Sequence, residues 1–326
     1  MYPRISPSKR FFSFMSSNQP SRAVHRLHLT QNHLRAQSSL ANIDNVSVGA
    51  KYTQEYRNYA VDRQSNKVIS YFHDIPLRLN TQQKTATMVV EVPRWSNGKF
   101  EIDPKQPGNP IVQDFKKGKV RFVRNLFPYH GYIHNYGALP QTWEDPTQKS
   151  NVEGLYGDGD PLDVCEIGSS VFPIGSVVTV KLLGSLALVD DGELDWKVIA
   201  INVDDELAPE LNDIVDVEKK CPGLLAATRQ WFKDYKKPDG KPENVFAFNG
   251  EYRDAAQTWE TVEECHVAWE KLVTGKTEKG KFAIENVTLQ GTPLKQDKFE
   301  FSDSVLSAAA EPDAPIPDEV HKSFHY

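Results

Sequence analysis

The stretch Asp158-Gly159-Asp160-Pro161-Leu162-Asp163 sets three carboxylates within six residues. It cannot be helical, because Gly157 and Gly159 free the backbone and Pro161 fixes a turn. A turn there brings Asp158 and Asp163 toward one point, with Asp160 beside them. Two bare carboxylates about 4 Å apart repel by roughly 4 kcal/mol at an effective dielectric near 20. The cluster therefore needs protons or a cation. Oxygen-only ligands suit a hard divalent ion, Mg2+ or Mn2+, over zinc. An EF-hand fails on spacing. With Asp158 as position 1, the required glycine at position 6 is Asp163 and the required glutamate at position 12 is Ser169.

A second acidic group follows the next strand pair: Asp190, Asp191, Glu193 and Asp195, with Lys197 just beyond. Alone it reads as a hairpin turn around Gly192. With one strand pair between them, the two groups can meet at the same barrel mouth and share ions. A third stretch, Asp204 to Glu218, lacks strand context and reads as a solvated connection.

Cations surround these acids. Glu91-Val92-Pro93-Arg94-Trp95 leads to Lys99 and Glu101, which alternate onto one face of an extended segment. Lys116, Lys117, Lys119, Arg121 and Arg124 precede the Tyr/His-rich run 127–137. Lys116 and Lys117 read as a solvated strand edge. His130 and His134 have zinc spacing only on a helix, and the glycines and tyrosines around them argue against one. Carboxylates that hold metal, with Arg, Lys and Tyr nearby, form a pattern suited to a polyphosphate. No Walker loop is present, so nucleotide hydrolysis and kinase chemistry read poorly.

Outward from the site, short Val/Ile-rich runs bounded by Gly, Pro, Asn or Asp predict strands at 88–92, 120–123, 163–167, 177–183 and 196–203. Helices are expected from Pro222 through Phe232 and, capped by Asp254, through Trp269. Strands first and helices late predict an α+β fold, mainly β, with a barrel or strongly twisted sheet. The longest apolar run, 171–189, is broken by Pro173, Gly175, Lys181 and Gly184, which argues against a membrane span. Three scattered cysteines, Cys165, Cys221 and Cys265, exclude a disulfide framework.

Charge is uneven. The 326 residues carry 38 basic and 44 acidic side chains, net −6. Residues 1–43 hold six of the basic residues, eight serines and no acid. That is the composition of a mitochondrial transit peptide. Without it, 32 basic residues face 44 acidic ones, net −12. So acidic a body is a poor general binder of nucleic acid. Residues 306–326 are Ala/Pro/Asp-rich and are expected to be loosely ordered.

Several blocks together resemble the soluble inorganic pyrophosphatases built on an OB-like barrel. They are Met88-Val89-Val90-Glu91-Val92-Pro93-Arg94-Trp95, Val120-Arg121-Phe122-Val123-Arg124-Asn125, His130-Gly131-Tyr132-Ile133-His134-Asn135-Tyr136-Gly137 and the acidic loop through Val164. Asp190-Asp191-Gly192-Glu193-Leu194-Asp195-Trp196-Lys197 and Trp231-Phe232-Lys233-Asp234-Tyr235-Lys236 complete the set. The resemblance covers roughly residues 48–300, and the flanks point to the eukaryotic mitochondrial branch. It implies a five-stranded OB-like barrel with peripheral strands and two or more α-helices, in one catalytic domain over 44–305. It implies Mg2+-dependent hydrolysis of pyrophosphate to two orthophosphates in the mitochondrial matrix. Two to four Mg2+ per site are expected, with Mn2+ or Zn2+ able to substitute and Ca2+ inhibiting.

The resemblance also assigns roles. Asp158, Asp163 and Asp195 would hold one ion, and Asp163 would bridge to a second. Asp190, Asp195 and Glu101 would help carry ions that arrive with substrate. Asp160 would be the general base for the attacking water. Lys99, Arg121, Tyr136, Lys197, Tyr235 and Lys236 would contact phosphates, with Arg121 and Tyr136 close to the chemistry. Glu91 and Tyr132 match further active-site positions. A homodimer is implied, with Trp95 and His130 at the subunit contact. The rival reading is an OB-type module that grips single-stranded nucleic acid through Tyr129, Tyr132, Tyr136 and the 116–124 basic residues, without catalysis.

Overall fold

Five strands of the computed structural model, which describes residues 42–326, close on themselves. They are β1 (Thr85–Val92), β2 (Asn135–Ala138), β3 (Asp163–Glu166), β4 (Val177–Asp190) and β5 (Glu193–Asn202). Pairing runs β5-β3-β2-β1-β4, and β4 pairs again with β5, so the ring has no free edge. Only β3 and β5 pair in parallel within it. This is the expected five-stranded barrel. All eight residues of β1 are buried, so it is covered on both faces. Met88, Val90, Val164, Leu182 and Val198 pack in one apolar cluster. Their alternates Val89, Tyr136, Cys165 and Ile199 pack in another. That division follows from the two-residue period of a strand.

Two local devices shape the ring. The β4–β5 hairpin turns on Asp191 and Gly192, both at positive φ (49° and 93°), with Asp190 opposite Glu193. That is a two-residue turn whose twist matches the strands. At Gly137 the β2–β1 register shifts, and an added Cβ would lie 1.9 Å from Val89 O. Only glycine permits this close approach, and it sits beside Tyr136.

The predicted strand at 120–123 is reduced to Lys119–Val120, paired with Phe115–Lys116, plus a bridge from Phe122 to Gly98. The alternation there is too short to carry a ladder. A second sheet joins Ile43–Val48, Arg57–Asp62, Ile111–Gln113 and Phe100–Ile102, with Lys67–Ile69 on Arg57–Asp62.

Four α-helices occur among the described residues: α1 (Ile214–Lys220), α2 (Leu224–Asp234), α3 (Ala255–Val273) and α4 (Ser302–Leu306). None is long and apolar enough to cross a membrane. Asp254 caps α3 through a full capping box with Gln257. α2 starts after Pro222, because Gly223 takes the N-cap position at φ 85°. Its Leu225, Thr228, Trp231 and Phe232 are buried, as their spacing predicts. α1 lies inside the stretch read as a solvated connection. Asp213 caps it and only Ile214 and Val217 are buried, too few to show a helical period. Asp205 is also engaged, accepting from Ser169 N at 2.6 Å.

The expected leader, 1–43, lies outside the described residues except for its last two. The final segment, expected to be loose, is docked. Ser323–Phe324 pairs in parallel with Asn125–Leu126, Val320 is 2% exposed, and Lys51 meets Asp313 at 2.9 Å. Backbone pairing and one buried valine outweigh the polar composition. All three cysteines are free.

α3 is tied to the body through His73, which is fully buried. Trp269 Nε1 donates to His73 Nδ1 at 2.9 Å, and the ring's Nε2 donates to Ala283 O at 2.9 Å. A second proton on Nδ1 would face a donor. Burial pushes this imidazole down to about 4, against the Ala283 hydrogen bond. The folded state thus binds fewer protons than the unfolded chain, whose histidine titrates near 6.5. The contribution is complete above pH 6.5 and is lost as pH falls toward 4. In urea unfolding across that range, His73→Gln should flatten the pH slope relative to wild type by up to about 1.4 kcal/mol per pH unit. Parallel slopes would show that His73 does not set the acid sensitivity.

Candidate functional site

The ring brings the two acidic groups together. In register, Asp163 of β3 lies opposite Lys197 of β5, and Ala138 of β2 lies opposite Asp163. Asp195 and Lys197 share a face of β5 by their two-residue spacing. Lys197 Nζ donates to both Asp163 Oδ2 and Asp195 Oδ1, and to Tyr136 OH at 2.9 Å. Tyr136 in turn donates to Asp163 Oδ2. The two carboxylates therefore stand no more than about 6 Å apart, two hydrogen-bond lengths. Asp158 joins from the preceding loop. Gly159 takes φ 90°, and Asp160 N donates to Asp158 Oδ1 at 2.9 Å.

One residue here went unread in the sequence. Oxygens of Glu144, Asp158 and Asp195 lie within 4.8 Å of one another, and Glu144 is 4% exposed. Glu144 sits in the irregular segment Trp143-Glu144-Asp145-Pro146. Neither periodicity nor spacing links it to the other acids. Only its residue type could have drawn notice.

Lys99 and Glu101 pair at 3.3 Å, and Lys99 lies 5.0 Å from the centre of the Tyr136 ring. Glu91 on β1 is buried, and its Oε1 accepts from Ile102 N at 2.7 Å. Tyr132 packs on Tyr136 and on Trp231, with ring centres 5.0 and 5.1 Å apart. Tyr235 stacks on Trp231 at 5.0 Å. Lys236 bonds Asp190 Oδ2 and lies 5.5 Å from the Tyr235 ring. Arg121 pairs with Asp114 at 3.0 Å, a partner not foreseen. Tyr132 and Tyr136 are each 3% exposed, so neither offers a free ring for base stacking. His130 and His134 do not converge, since His130 Nδ1 bonds Trp95 O and His134 Nε2 bonds Thr228 Oγ1. A cleft of about 670 Å³ borders α3 and the 143–151 segment, and it meets this constellation at Glu144.

Lys197 and Lys99 together cannot balance every acid here. Burial pushes Asp163 up, but Lys197 and Lys99 outweigh it and hold that carboxyl below its ordinary range. Asp195 is pushed up to about 8, by burial first and then by Asp163 and Asp158, against the pull of Lys197. Burial, then Asp160 and Asp163, raise Asp158 well above the usual range. Burial, then Glu101 and Asp163, do the same to Asp160. Burial, then Asp158 and Asp195, raise Glu144. Bare, the site relieves repulsion by holding protons, and a divalent cation could replace those protons. The donors are all oxygens, which selects hard ions. Glu144 Oε2 is buried without a hydrogen-bond partner, so the set has donor capacity to spare.

A family model described as "Inorganic pyrophosphatase" matches residues 88–270. A Candida albicans protein named "Inorganic pyrophosphatase" is 53% identical over 278 residues, which is 85% of this chain and 95% of that protein. A Saccharomyces cerevisiae protein named "Inorganic pyrophosphatase, mitochondrial" is 45% identical over 309 residues, covering 94% and 96% of the two chains. Among solved structures, the inorganic pyrophosphatase of Schistosoma japonicum superposes with a TM-score of 0.80 at 42% identity, covering 87% of this chain and all of that one.

The environment of Glu91 makes a measurable statement. Burial pushes its carboxyl up to about 8, with Asp163 and Glu101 adding and Lys99 and the Ile102 hydrogen bond opposing. The folded state keeps a proton that the unfolded chain releases near 4.5. Wild-type stability therefore declines as pH rises from 4.5 to 8. Glu91→Gln keeps an acceptor for Ile102 N–H and has no charge to bury. In metal-free protein its melting temperature should match wild type near pH 4.5, rise above it up to pH 8, and hold that lead beyond. A difference independent of pH would contradict this.

Proposed function

The chain belongs to the inorganic pyrophosphatases, and from that premise we propose that it hydrolyses pyrophosphate to two orthophosphates with Mg2+, by direct attack of water. The observation that carries this reading is the convergence of Asp158, Asp163, Asp195, Tyr136 and Lys197. The carboxylates that would hold Mg2+ are Asp158, Asp163 and Asp195, with Asp190 and Glu101 toward the substrate. When bound, such ions supply the positive charge that acidifies a water and neutralises phosphate oxygens. Two to four are expected, with Mn2+ or Zn2+ able to substitute.

The chain's own groups supply the rest. Asp160 serves as general base. Metals bound beside it and its hydrogen bonds, not its intrinsic basicity, would set its working proton affinity. Its backbone is fixed at both ends, N to Asp158 Oδ1 at 2.9 Å and O to Glu144 N at 3.0 Å. Lys99, Lys197, Lys236 and Arg121 bind phosphate oxygens, and Tyr136 and Tyr235 orient them. Arg121 stays charged, as a guanidinium does in proteins, and it is paired with Asp114 at 3.0 Å. It steadies charge that develops on the transferred and leaving phosphates. No covalent intermediate on the protein is needed.

The location is the mitochondrial matrix, with 1–43 as a removable leader. The relative named as mitochondrial and the acid-free composition of 1–43 support this. The assembly is a homodimer. Trp95 is 59% exposed and its carbonyl binds His130 Nδ1 at 2.7 Å, so an aromatic face is presented at the expected contact.

Purified protein should release orthophosphate from pyrophosphate in Mg2+. Asp160→Ala should lower kcat by about 10²–10⁴-fold with pyrophosphate binding retained and the pH optimum displaced. Ca2+ should inhibit, since it favours looser coordination. No phosphate release from wild type would reject the reading, and loss of folding by circular dichroism in Asp160→Ala would reassign that residue to structure.

A further inference from the structure

Glu144 does two things that no expected role explains. Its backbone is stitched to the acidic loop. Glu144 N donates to Asp160 O at 3.0 Å, and Gly159 N donates to Glu144 O at 2.9 Å. Beside it, Trp143 Nε1 donates to Gly159 O at 3.1 Å. Its side chain reaches the other acidic group, where Oε1 accepts from Trp196 N at 3.0 Å, next to Asp195. A neutral acceptor would serve that bond as well. Yet a carboxylate stands there, with its second oxygen buried and unpartnered among the described residues, and with Asp158 and Asp195 oxygens within 4.8 Å. A fourth acid in such a place is costly unless something positive uses it.

We propose that Glu144 is a further member of the cation site, placing its free carboxylate oxygen toward the divalent ion that Asp158 and Asp195 hold. This rests on the metal-dependent reading above. The role is charge, not support: the Oε1 bond to Trp196 N fixes the carboxylate, and Oε2 faces the ion or a water bound to it. Groups that orient and charge a metal site from just outside its first ligands commonly change affinity by 10–100-fold when removed.

The test reads metal affinity with no turnover. Mn2+ binding to the full chain without pyrophosphate is followed by electron paramagnetic resonance for wild type, Glu144→Gln and Glu144→Ala. Glu144→Gln keeps an acceptor for Trp196 N–H and removes only the charge. Both variants should bind Mn2+ about tenfold or more weakly, with wild-type circular dichroism. Wild-type affinity in Glu144→Gln overturns the proposal, whatever Glu144→Ala does, because the residue is then a hydrogen-bonding strut. Should Glu144→Gln fail to fold, Glu144→Asp carries the test: it keeps the charge but shortens its reach, so weakened binding is expected and unchanged binding overturns. Wild-type protein that binds no Mn2+ at all overturns the metal reading itself, a result distinct from equal affinities in wild type and variant.

Discussion

Lys197 is a single ammonium among more carboxylates than it can neutralise, and the rest of the site is arranged around that shortfall. It bonds Asp163 and Asp195 at once and also touches Tyr136. Asp163 is left ionised, while Asp195, Asp158 and Glu144 are pushed toward protonation by burial and by one another. In water these groups would drift apart. Here the strands forbid it, because Asp163 and Lys197 are opposite members of one ladder and Asp195 is two residues along the same strand.

Closure of the ring is what makes such crowding sustainable. A five-strand loop without edges lets no strand slide, since a one-residue slip would turn every side chain to the opposite face. β1 is buried along its whole length. β4 runs fourteen residues and joins the ring on both sides, pairing with β1 over 177–181 and with β5 over 180–190. α2 adds Trp231, Phe232 and Tyr235 against Tyr132 and Tyr136. Rigid apolar packing on both faces thus holds repelling charges within reach of one ion.

How much of this was readable from the chain depended on range. The acidic loop was legible because Gly and Pro announce a turn locally and three acids announce its chemistry. The barrel strands were legible from Val/Ile runs, and α3 from Asp254 as its cap and the helical spacing that runs on to Trp269. Each signal lies within a few residues. α1 was not legible, since seven residues with two buried side chains give no period. The docking of 306–326 was not legible either, because it depends on edges offered by Asn125 and Lys51, far away in sequence. Glu144 belongs to the same class. Its partners Asp158 and Asp195 are brought to it by backbone pairing with the 157–160 loop and by β5. Arg121 shows the limit from the other side: its charge was expected at the phosphates, but its bond to Asp114 requires the fold.

The electrostatic shortfall also links stability to occupancy. A cation that binds the folded site and not the unfolded chain adds to stability as its concentration rises above its dissociation constant. Protons do the same at lower pH, because the crowded acids take them up on folding. Each neutralises the carboxylates without requiring the ring to open. The same acids that make the bare protein less stable as pH rises are those whose oxygens would face an incoming ion in the proposed function. Replacing any of them with a neutral side chain would relax the folded state and weaken its hold on the ion. The site is therefore tuned by how much repulsion the closed barrel can hold in place, and Glu144, buried with an oxygen to spare, marks how far that loading extends beyond the three aspartates.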